Sequence, residues 1–590
     1  MGDGRPCASW RRSWAKATIG CCAACWASMA RRSRRRWPAA PCDRRPRQPD
    51  GREQEAAGTM PRILGYEPHA STLRELIALR AGLGSKPLLI CRDDVLTYAE
   101  ADRRSNEVAN RLLEFGVAKG DVVATFMYNS LPQALIWFGC AKIGAIYAPL
   151  NVSLVKDDLA YSLNDTNAKL LVLDAELVPA FNASRAALTR EPLLFVLGRT
   201  TELQALPFER LLGGSAALPD IEVRPTDPAA IVYTGGSTSM PKGVLVSHFY
   251  YVVAAVRYGE IAQATADDVH FANSHFFHIG GQQFGVTGPL YHGMTGVMEK
   301  WFSVSRYLDV ARKYGATVID PIGTMIAALM NRPASPTDRQ HKMRVGVGIA
   351  SGQVRREVRD GFERRFGVTL LEVYSMTEMG VLLCSERLHD RRSGSCGRPH
   401  GWAEICIVDQ DDNPLPAGTP GHILLRPKVL NSSMMRYVNK PQETIAAWRN
   451  LWYHSSDLGY LDADGYLHFV GREAHWVRKG GENVSAFEVE KVIAGHPAVL
   501  DCAIVGVPAE LGEEDVKAYI QLKPGAGPIE PGAFVDYCRE RIAFFKVPRY
   551  VAFVDGFPRT MTKNEIARHE LRARGIGRAW DARNGRWLEE

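Results

Sequence analysis

The segment Tyr233-Thr-Gly-Gly-Ser-Thr-Ser-Met-Pro-Lys-Gly243 follows the apolar stretch 229–232, which is predicted to be a buried β-strand. Glycines permit unusual backbone dihedrals, hydroxyls and backbone N–H groups donate to oxygens, and Lys242 supplies a positive charge. This composition suits a loop that approaches a polyphosphate. The spacing G-x-x-x-x-G-K-[ST] is absent, so the segment is not a Walker A loop. Taken alone, it is more readily interpreted as a plain surface turn.

The same segment resembles the phosphate loop of the adenylate-forming enzymes (acyl-CoA synthetases, adenylation domains and luciferases), usually written Y-T-S-G-T-T-G-x-P-K-G. The residues that match in order are Thr234, Gly236, Thr238, Pro241, Lys242 and Gly243. Gly235 replaces a serine and Ser239 a glycine; because Ser239 has less backbone freedom, a slightly altered loop geometry is expected. The resemblance implies that the ATP phosphates bind to Thr234, Gly236, Ser237, Thr238 and Lys242.

Length and charge exclude some classes of protein. At 590 residues, the chain is expected to form at least two domains, and 46% hydrophobic residues are typical of a globular protein. No uninterrupted 18-residue apolar run occurs, so no membrane span is predicted. The net charge of +7 comes from residues 1–60, with 13 Lys/Arg against 5 Asp/Glu. The rest is close to neutral, so no nucleic-acid partner is expected.

Residues 1–59 form an Arg- and Cys-rich extension that shows no clear periodicity. It is either an organelle-targeting peptide or, as we favour, a stretch translated upstream of a true start near Met60. Cys22 and Cys25 have the spacing of a metal or redox pair, but no second pair accompanies them. The scattered cysteines of the remaining chain favour reduced thiols and a cytoplasmic location.

Helix and strand signals alternate from about residue 70, which predicts an α/β fold with a parallel sheet. Thr97 and Glu100 form a capping-box pattern before a helix, and strands are predicted at 122–127, 170–173, 193–197, 503–507 and 518–522. A helix is predicted at 531–542. We expect a large domain at 60–471, a small domain at 472–580 and a tail at 581–590. The resemblance implies mixed sheets with flanking helices in the large domain and a mobile α+β small domain.

Further signatures of the adenylate-forming enzymes follow in order, so the resemblance extends over most of 85–575. Tyr374-Ser-Met-Thr377-Glu378 resembles the motif Y-G-x-T-E, although Ser375 replaces the glycine. The resemblance implies that Tyr374 packs on adenine, Thr377 contacts phosphate and Glu378 binds Mg²⁺. A carboxylate suits Mg²⁺, and an aromatic face suits a purine. Out of this order, the same pattern would more often begin a helix.

The segment His454-Ser-Ser-Asp457-Leu-Gly resembles H-T-G-D-L-G, whose aspartate accepts both ribose hydroxyls. A plain turn before Gly459 is the alternative for Asp457. By resemblance, Arg472 is a second ribose or phosphate contact at the domain junction. Gly480 and Gly481 then belong to a loop that lines the thiol tunnel after the small domain rotates.

The segment His275-Phe-Phe-His278-Ile-Gly-Gly281 matches the wall of the acyl pocket in these enzymes. By resemblance, His275 is the gate between the carboxylate and CoA channels. A metal site at His275 and His278 has no third ligand nearby, and either histidine can be a core residue. The segment contains no aspartate to pair with an α-ammonium group, which argues against an amino acid as the substrate.

The C-terminal signature is displaced. The family pattern P-R-T-x-T-G-K-I carries a lysine that bridges the carboxylate and the α-phosphate, whereas this chain reads Pro558-Arg-Thr-Met-Thr-Lys563-Asn-Glu565-Ile566. Lys563 falls one place early, and alignment on Ile566 puts Glu565 in the catalytic slot. A glutamate there would repel both anions. We predict that Lys563 is the catalytic lysine. A shift of the loop by one residue would bring its long side chain to the position of the family lysine.

The resemblance implies an ATP- and Mg²⁺-dependent acyl-CoA ligase that adenylates a small carboxylic acid and transfers the acyl group to CoA. The overall pattern is similar to the carnitine or crotonobetaine-CoA ligases and the medium-chain acyl-CoA synthetases. Phe276, Phe277, Trp301 and Tyr307 could hold a quaternary ammonium group, but they also suit any acyl pocket. Loading of a carrier protein and a binding-only paralogue remain alternatives, and a homodimer is left open.

Overall fold

The computed structural model describes residues 68–589, except 235–240, 351–353, 355, 381, 473–475, 480–481, 510–513, 543 and 561–564. Side chains are not described at 350, 472, 478, 482, 483, 488 and 545. The predicted extension 1–59 therefore lies outside the described residues.

The strands, in chain order, are β1 (Pro87–Cys91), β2 (Asp94–Thr97), β3 (Val122–Phe126), β4 (Ile146–Pro149), β5 (Leu170–Asp174), β6 (Leu193–Leu197), β7 (Leu206–Pro207), β8 (Pro228–Thr234), β9 (Lys242–Ser247), β10 (Val269–Ala272), β11 (Thr295–Met298), β12 (Val318–Ile319), β13 (Val345–Ala350), β14 (Thr369–Tyr374), β15 (Cys384–Ser385), β16 (Arg398–Pro399), β17 (Ala403–Val408), β18 (Gly421–Pro427), β19 (Arg436–Tyr437), β20 (Tyr453–Leu461), β21 (Leu467–Arg472), β22 (Trp476–Lys479), β23 (Glu482–Ser485), β24 (Val499–Pro508), β25 (Glu514–Leu522), β26 (Tyr550–Phe553), β27 (Ala579–Asp581) and β28 (Arg586–Leu588). The α-helices are α1 (Leu73–Arg80), α2 (Tyr98–Glu114), α3 (Leu131–Ile143), α4 (Lys156–Thr166), α5 (Val178–Ser184), α6 (His248–Ala262), α7 (Ile279–Gln282), α8 (Gly288–His292), α9 (Tyr307–Tyr314), α10 (Gly323–Met330), α11 (Arg356–Phe366), α12 (Pro441–Ala447), α13 (Ala486–Ala494), α14 (Pro531–Arg539) and α15 (Arg568–Ala573).

Two large mixed sheets form the body of the chain. The first has eight strands in the order β19-β9-β8-β4-β3-β5-β6-β7, and the second has nine in the order β16-β15-β14-β13-β12-β10-β11-β1-β2. Their central strands are parallel; antiparallel strands complete both edges of the nine-stranded sheet and the β9-β19 edge of the eight-stranded sheet, whereas its β7 edge is parallel. Apolar runs such as 170–173 are buried because helices cover parallel strands on both faces. The prediction of mixed sheets with flanking helices is confirmed.

Helix α6 lies between the two large sheets and is buried at almost every position. Phe249 on α6 shares an apolar cluster with Val244 of β9, while Tyr258 shares another with Val345 of β13. A helix that is apolar on all sides must be enclosed in a core. Helix α6 therefore fixes the position of one sheet relative to the other.

Helix α2 begins with the capping box predicted from Thr97 and Glu100. The Thr97 side chain accepts from the Glu100 backbone N–H at 3.2 Å, and the Glu100 carboxylate accepts from the Thr97 N–H at 3.0 Å. The apolar stretch 131–149 forms two elements, helix α3 and strand β4. Gly144 separates them with a left-handed φ of 68°, a conformation that side chains rarely adopt.

Lys142 on α3 is completely buried, and its ammonium group contacts the Asp102 carboxylate of α2. Burial lowers the pKa of Lys142 although Asp102 opposes that shift. Removal of one partner leaves a charge without compensation, whereas removal of both leaves apolar packing.

We therefore expect Asp102→Asn to lower the free energy of unfolding of the large domain by about 3 kcal/mol. The double variant Asp102→Asn with Lys142→Met should recover most of that loss. Denaturant unfolding monitored by circular dichroism measures both. If the single and double variants lose the same free energy of unfolding, the uncompensated Lys142 charge is not the cause of the loss.

Three smaller sheets follow. The first is antiparallel, with the order β17-β18-β20-β21; the second pairs β22 with β23; the third has the order β24-β25-β26-β27-β28. The last sheet, with α13, α14 and α15, forms the α+β part predicted for the C-terminal region. Among the described residues, no helix has both the length and the apolar character needed to cross a bilayer.

Two C-terminal expectations need correction. The helix predicted at 531–542 ends at Arg539, and a turn closed by the Ile542 N–H, which donates to the Cys538 carbonyl at 3.0 Å, follows it before a 3-10 turn at 544–546. Residues 581–590, predicted as a tail, contain β28, which pairs with β27 through opposed Trp580 and Trp587 rings 5.9 Å apart. Asn584-Gly585 between these strands is a strong hairpin signal that was overlooked.

Candidate active site

The phosphate-loop segment joins the antiparallel strands β8 and β9 of the eight-stranded sheet. Thr234 and Lys242 are directly opposed in the strand register, and the Thr234 hydroxyl oxygen lies 3.4 Å from the Lys242 carbonyl oxygen. Opposed residues of an antiparallel pair project from the same face. The two predicted phosphate contacts are therefore side by side. Gly236, Ser237 and Thr238 lie outside the described residues.

Glu378 reaches this place from the nine-stranded sheet, just after β14. Its Oε1 accepts from the Thr234 hydroxyl at 3.4 Å and from the Tyr437 hydroxyl at 3.1 Å. The Tyr250 hydroxyl on α6 donates to the Thr377 carbonyl at 2.8 Å and so fixes the backbone before Glu378. Gly380 then turns with φ 75°, where a Cβ would approach the Ser432 carbonyl oxygen to 2.7 Å. The structure thus brings Thr234, Lys242, Thr377 and Glu378 together.

Two tyrosines near Glu378 escaped the sequence analysis. Tyr437 and Tyr453 are buried, and their hydroxyls are 3.1 Å apart. The Lys242 ammonium group lies 4.9 Å from the centre of the Tyr437 ring. Tyr437 reaches the site because β19 pairs with β9, which precedes it by about 190 residues. No local pattern in the sequence reveals a pairing of that range.

Tyr374 and Asp457 form a second polar centre. The Tyr374 hydroxyl donates to Asp457 Oδ2 at 2.9 Å, and both residues are buried. Burial, followed by the Asp457 charge, raises the pKa of Tyr374 well above its ordinary value, so the phenol keeps its proton. Asp457 is opposed to Arg472 where β20 pairs with β21. The predicted nucleotide residues Tyr374, Asp457 and Arg472 are thus brought together at backbone level, and the Arg472 side chain is outside the described part.

His275 lies against aromatic neighbours near the predicted acyl pocket. Its ring stacks on Phe277 with centroids 4.9 Å apart and an angle of 11° between the planes. Burial lowers the pKa of His275 to about 4, so the ring is neutral at pH 7. Its Nδ1 is buried and has no hydrogen-bond partner among the described residues. A neutral imidazole of this kind suits the wall of an apolar channel.

The structure does not support a metal site at His275 and His278, since no group of three metal-ligating side chains occurs among the described residues. The four aromatic residues considered for a quaternary ammonium group also have different neighbours. Phe276 packs near Trp137, with ring centroids 6.3 Å apart, whereas the half-exposed Trp301 packs on Tyr128 at 5.8 Å. Trp301 and Tyr307 line one cavity, together with Phe271 and Phe302.

A single carboxylate at Glu378 fits Mg²⁺ only when ATP supplies further ligands. Mg²⁺ is commonly held by one or two carboxylates together with substrate phosphates. Glu378 lies beside the phosphate-loop residues Thr234 and Lys242, where that combination is available. The described residues therefore fit the ion in the form of Mg·ATP.

Lys563, Gly480 and Gly481 lie outside the described residues. The residues on both sides of Lys563 make contacts with the C-terminal α+β part. Arg559 is opposed to Ile566 in an antiparallel bridge. Arg559 pairs with Asp501 at 2.7 Å, and Arg568 pairs with Glu490 at 2.8 Å. These contacts tie both flanks to β24 and α13 of the C-terminal α+β part.

Comparison with known proteins shows the family of the chain. The family model for the AMP-binding enzyme matches residues 80–437, and the model for the AMP-binding enzyme C-terminal domain matches 488–564. A crotonobetaine/carnitine–CoA ligase from Salmonella heidelberg (strain SL476) is 34% identical over 488 residues, covering 80% of this chain and 92% of the relative. One from Citrobacter koseri is 33% identical over 485 residues, covering the same shares.

Solved structures give the same result. An anthranilate CoA ligase in complex with anthranoyl-AMP superposes with a TM-score of 0.77 and 27% identity, covering 85% of this chain and 96% of that one. O-succinylbenzoate CoA synthetase from Bacillus subtilis, in complex with AMP, gives 0.74 and 26% identity, with 84% and 97% covered. The chain therefore belongs to the family of AMP-binding, adenylate-forming enzymes and is an AMP-forming acyl-CoA ligase.

Proposed function

We propose that this acid–thiol ligase activates a small organic carboxylate in two steps at the site described above. In the first step, a carboxylate oxygen attacks the α-phosphorus of ATP, the bond to the β-phosphate oxygen breaks, and pyrophosphate leaves. In the second, the CoA sulfur attacks the acyl carbonyl, the thiol proton is lost, and AMP leaves. The single observation that carries this proposal is the convergence of Thr234, Lys242 and Glu378 from two different sheets.

The phosphate contacts have a clear electrostatic role in the proposal. Lys242 and Thr234, with Gly236, Ser237 and Thr238 of the loop, bind the phosphates and stabilise the charge that develops on the departing pyrophosphate. Mg²⁺ held by Glu378 and the phosphates would neutralise part of the same charge. Thr377 adds a phosphate contact.

The remaining residues hold the nucleoside and the acyl group. The Tyr374 ring packs on adenine, and Asp457 accepts from the ribose hydroxyls, with Arg472 as a further contact. Lys563 bridges the carboxylate and the α-phosphate during the first step. In the second step, Gly480 and Gly481 line the path of the thiol. His275 stands between the acyl and thiol channels as a neutral ring.

The names of the relatives and the composition of segment 275–281 support two substrate classes in the proposal. Betaine-type acids are the first class to test, because the relatives are named crotonobetaine/carnitine–CoA ligases. Aromatic acids are the second, because one similar structure binds anthranoyl-AMP. The segment 275–281 offers two aromatic rings and no carboxylate, which favours an acyl group without an α-ammonium charge.

A cytoplasmic location is part of the proposal, since ATP and CoA are the cosubstrates. The described cysteines are free thiols, as is expected in a reducing compartment. A homodimer stays a prediction.

The experiment is pyrophosphate release from Mg·ATP with short, medium-chain, aromatic and betaine-type carboxylates, with and without CoA, followed by mass detection of the thioester. We expect release with at least one acid and a thioester only when CoA is present. Release without a thioester would favour a carrier protein as the acceptor. No release from protein that binds ATP would favour the binding-only paralogue.

A further inference from the structure

Tyr437 lies between the two oppositely charged side chains of the phosphate site. Its hydroxyl donates to Glu378 Oε1 at 3.1 Å, and its ring faces the Lys242 ammonium group at 4.9 Å from the ring centre. One aromatic side chain thus contacts the carboxylate through its polar end and the cation through its π-face. Tyr437 itself is buried, with 4% of its surface exposed.

A lysine and a glutamate in the same half-buried pocket would normally pair directly. Within the part of the chain that the structure describes, no ion pair joins Lys242 to Glu378, whose Oε1 is occupied by the hydroxyls of Thr234 and Tyr437. A cation over an aromatic face is stabilised without a counter-ion. The Tyr437 ring therefore gives Lys242 an alternative to Glu378.

The Tyr437 hydroxyl acts as a donor. An ionised carboxylate only accepts hydrogen bonds, so the proton in the 3.1 Å contact between the Tyr437 hydroxyl and Glu378 Oε1 comes from the phenol. Because Tyr437 donates its proton to Glu378, the neighbouring Tyr453 must donate to Tyr437 across their 3.1 Å contact. Glu378 thus accepts directly from Tyr437, whereas the Tyr453 hydroxyl contacts only Tyr437 of these two residues.

We propose that Tyr437 is a positioning residue that keeps Glu378 and Lys242 apart, so that the carboxylate faces the metal and the ammonium faces the phosphates. This inference rests on the proposed roles of Glu378 and Lys242. A purely structural Tyr437, buried and satisfied by its hydrogen bonds, would affect stability but not the dependence of ATP binding on metal.

The test is the equilibrium affinity for ATP, measured by titration calorimetry with and without Mg²⁺, in the full chain and in variants. Tyr437→Phe keeps the ring and removes the donor to Glu378. Because hydrogen bonds to charged groups are strong, we expect the gain in ATP affinity on adding Mg²⁺ to fall by about tenfold. The metal-free affinity should stay within about twofold, because the ring still faces Lys242.

Tyr437→Leu removes the ring as well. Lys242 is then free to pair with Glu378, so we expect weaker ATP binding both with and without Mg²⁺. Tyr453→Phe is the matched control, since it loses a hydroxyl from the same cluster that does not contact Glu378. Its gain in ATP affinity on adding Mg²⁺ should stay within about threefold of the parent, the scale of one neutral hydrogen bond.

Two results would overturn the inference: an unchanged Mg²⁺ effect in Tyr437→Phe, or an equal loss in Tyr437→Phe and Tyr453→Phe. Glu378→Gln separates this failure from that of the proposed function. If Glu378→Gln keeps the full Mg²⁺ effect, the metal role of Glu378 is wrong. If Glu378→Gln loses that effect while Tyr437→Phe keeps it, only the role of Tyr437 is wrong.

Discussion

Replacing Lys563 by alanine is expected to lower the rate of pyrophosphate release by about 10²–10³-fold, the usual effect of removing one group that stabilises charge in a transition state. Conversion of added acyl-adenylate and CoA to the thioester should be largely retained, because the lysine acts only while the carboxylate and the α-phosphate react. Rapid-quench measurement of the two half-reactions separates these effects. A fold defect in the C-terminal part would reduce both rates together.

The control for this experiment is Asn564→Lys, which places a lysine at the family spacing after Thr562. If Lys563 reaches the reacting groups through one residue of slack, the second lysine should change pyrophosphate release by less than about tenfold, since it duplicates a charge already present. A parent without activity that gains it only in Asn564→Lys would show that Lys563 is misplaced. That result would favour the binding-only paralogue.

The second large effect is expected at Asp457. Asp457→Asn replaces an anionic acceptor by a neutral amide, so the dissociation constant of ATP should rise by about ten- to a hundredfold, the range for hydrogen bonds to charged groups. The sharper measurement compares ATP with 2′-deoxy-ATP. The parent should prefer ATP, and Asp457→Asn should lose most of that preference if Asp457 accepts from the ribose hydroxyls.

Asp462→Asn is the matched control, because Asp462 immediately follows β20 and pairs with Arg392 at 2.6 Å and His468 at 3.0 Å, not with Tyr374. It should leave the affinity for both nucleotides within about twofold, the scale of a partly exposed ion pair. Unchanged discrimination against 2′-deoxy-ATP in Asp457→Asn would remove Asp457 from the ribose site.

Sequence signals that depend only on neighbouring residues predicted the elements of the fold well. The Thr97–Glu100 capping box begins α2 as expected, and the apolar runs at 170–173 and 193–197 lie within β5 and β6. The boundary at Arg539 was wrong because helix ends depend on tertiary packing. The hairpin at Trp580 and Trp587 was missed because its strands have three residues each, although Asn584-Gly585 is a local signal for it. A strand of three residues is too short to show a hydrophobic periodicity.

The candidate site was predicted through motifs, and its geometry adds what motifs omit. The motifs placed Thr234, Tyr374, Glu378 and Asp457 in order, and the structure joins Thr234 with Glu378 and Tyr374 with Asp457, each pair between two different sheets. Tyr437 was missed because its function depends on a strand pairing between segments far apart in sequence. The residues next to Tyr437 in the sequence form no motif that would indicate its contacts with Lys242 and Glu378.

The strand pairing of Asp457 with Arg472 links nucleotide binding to the orientation of the small domain. Strand β21 ends at Arg472, at the predicted junction of the two domains, while Asp457 on the adjacent strand is the proposed ribose contact. If two orientations of the small domain differ in their affinity for AMP, then AMP shifts the population of those orientations by the same factor. AMP, the second product, is then an effector of domain position as well as a competitor of ATP.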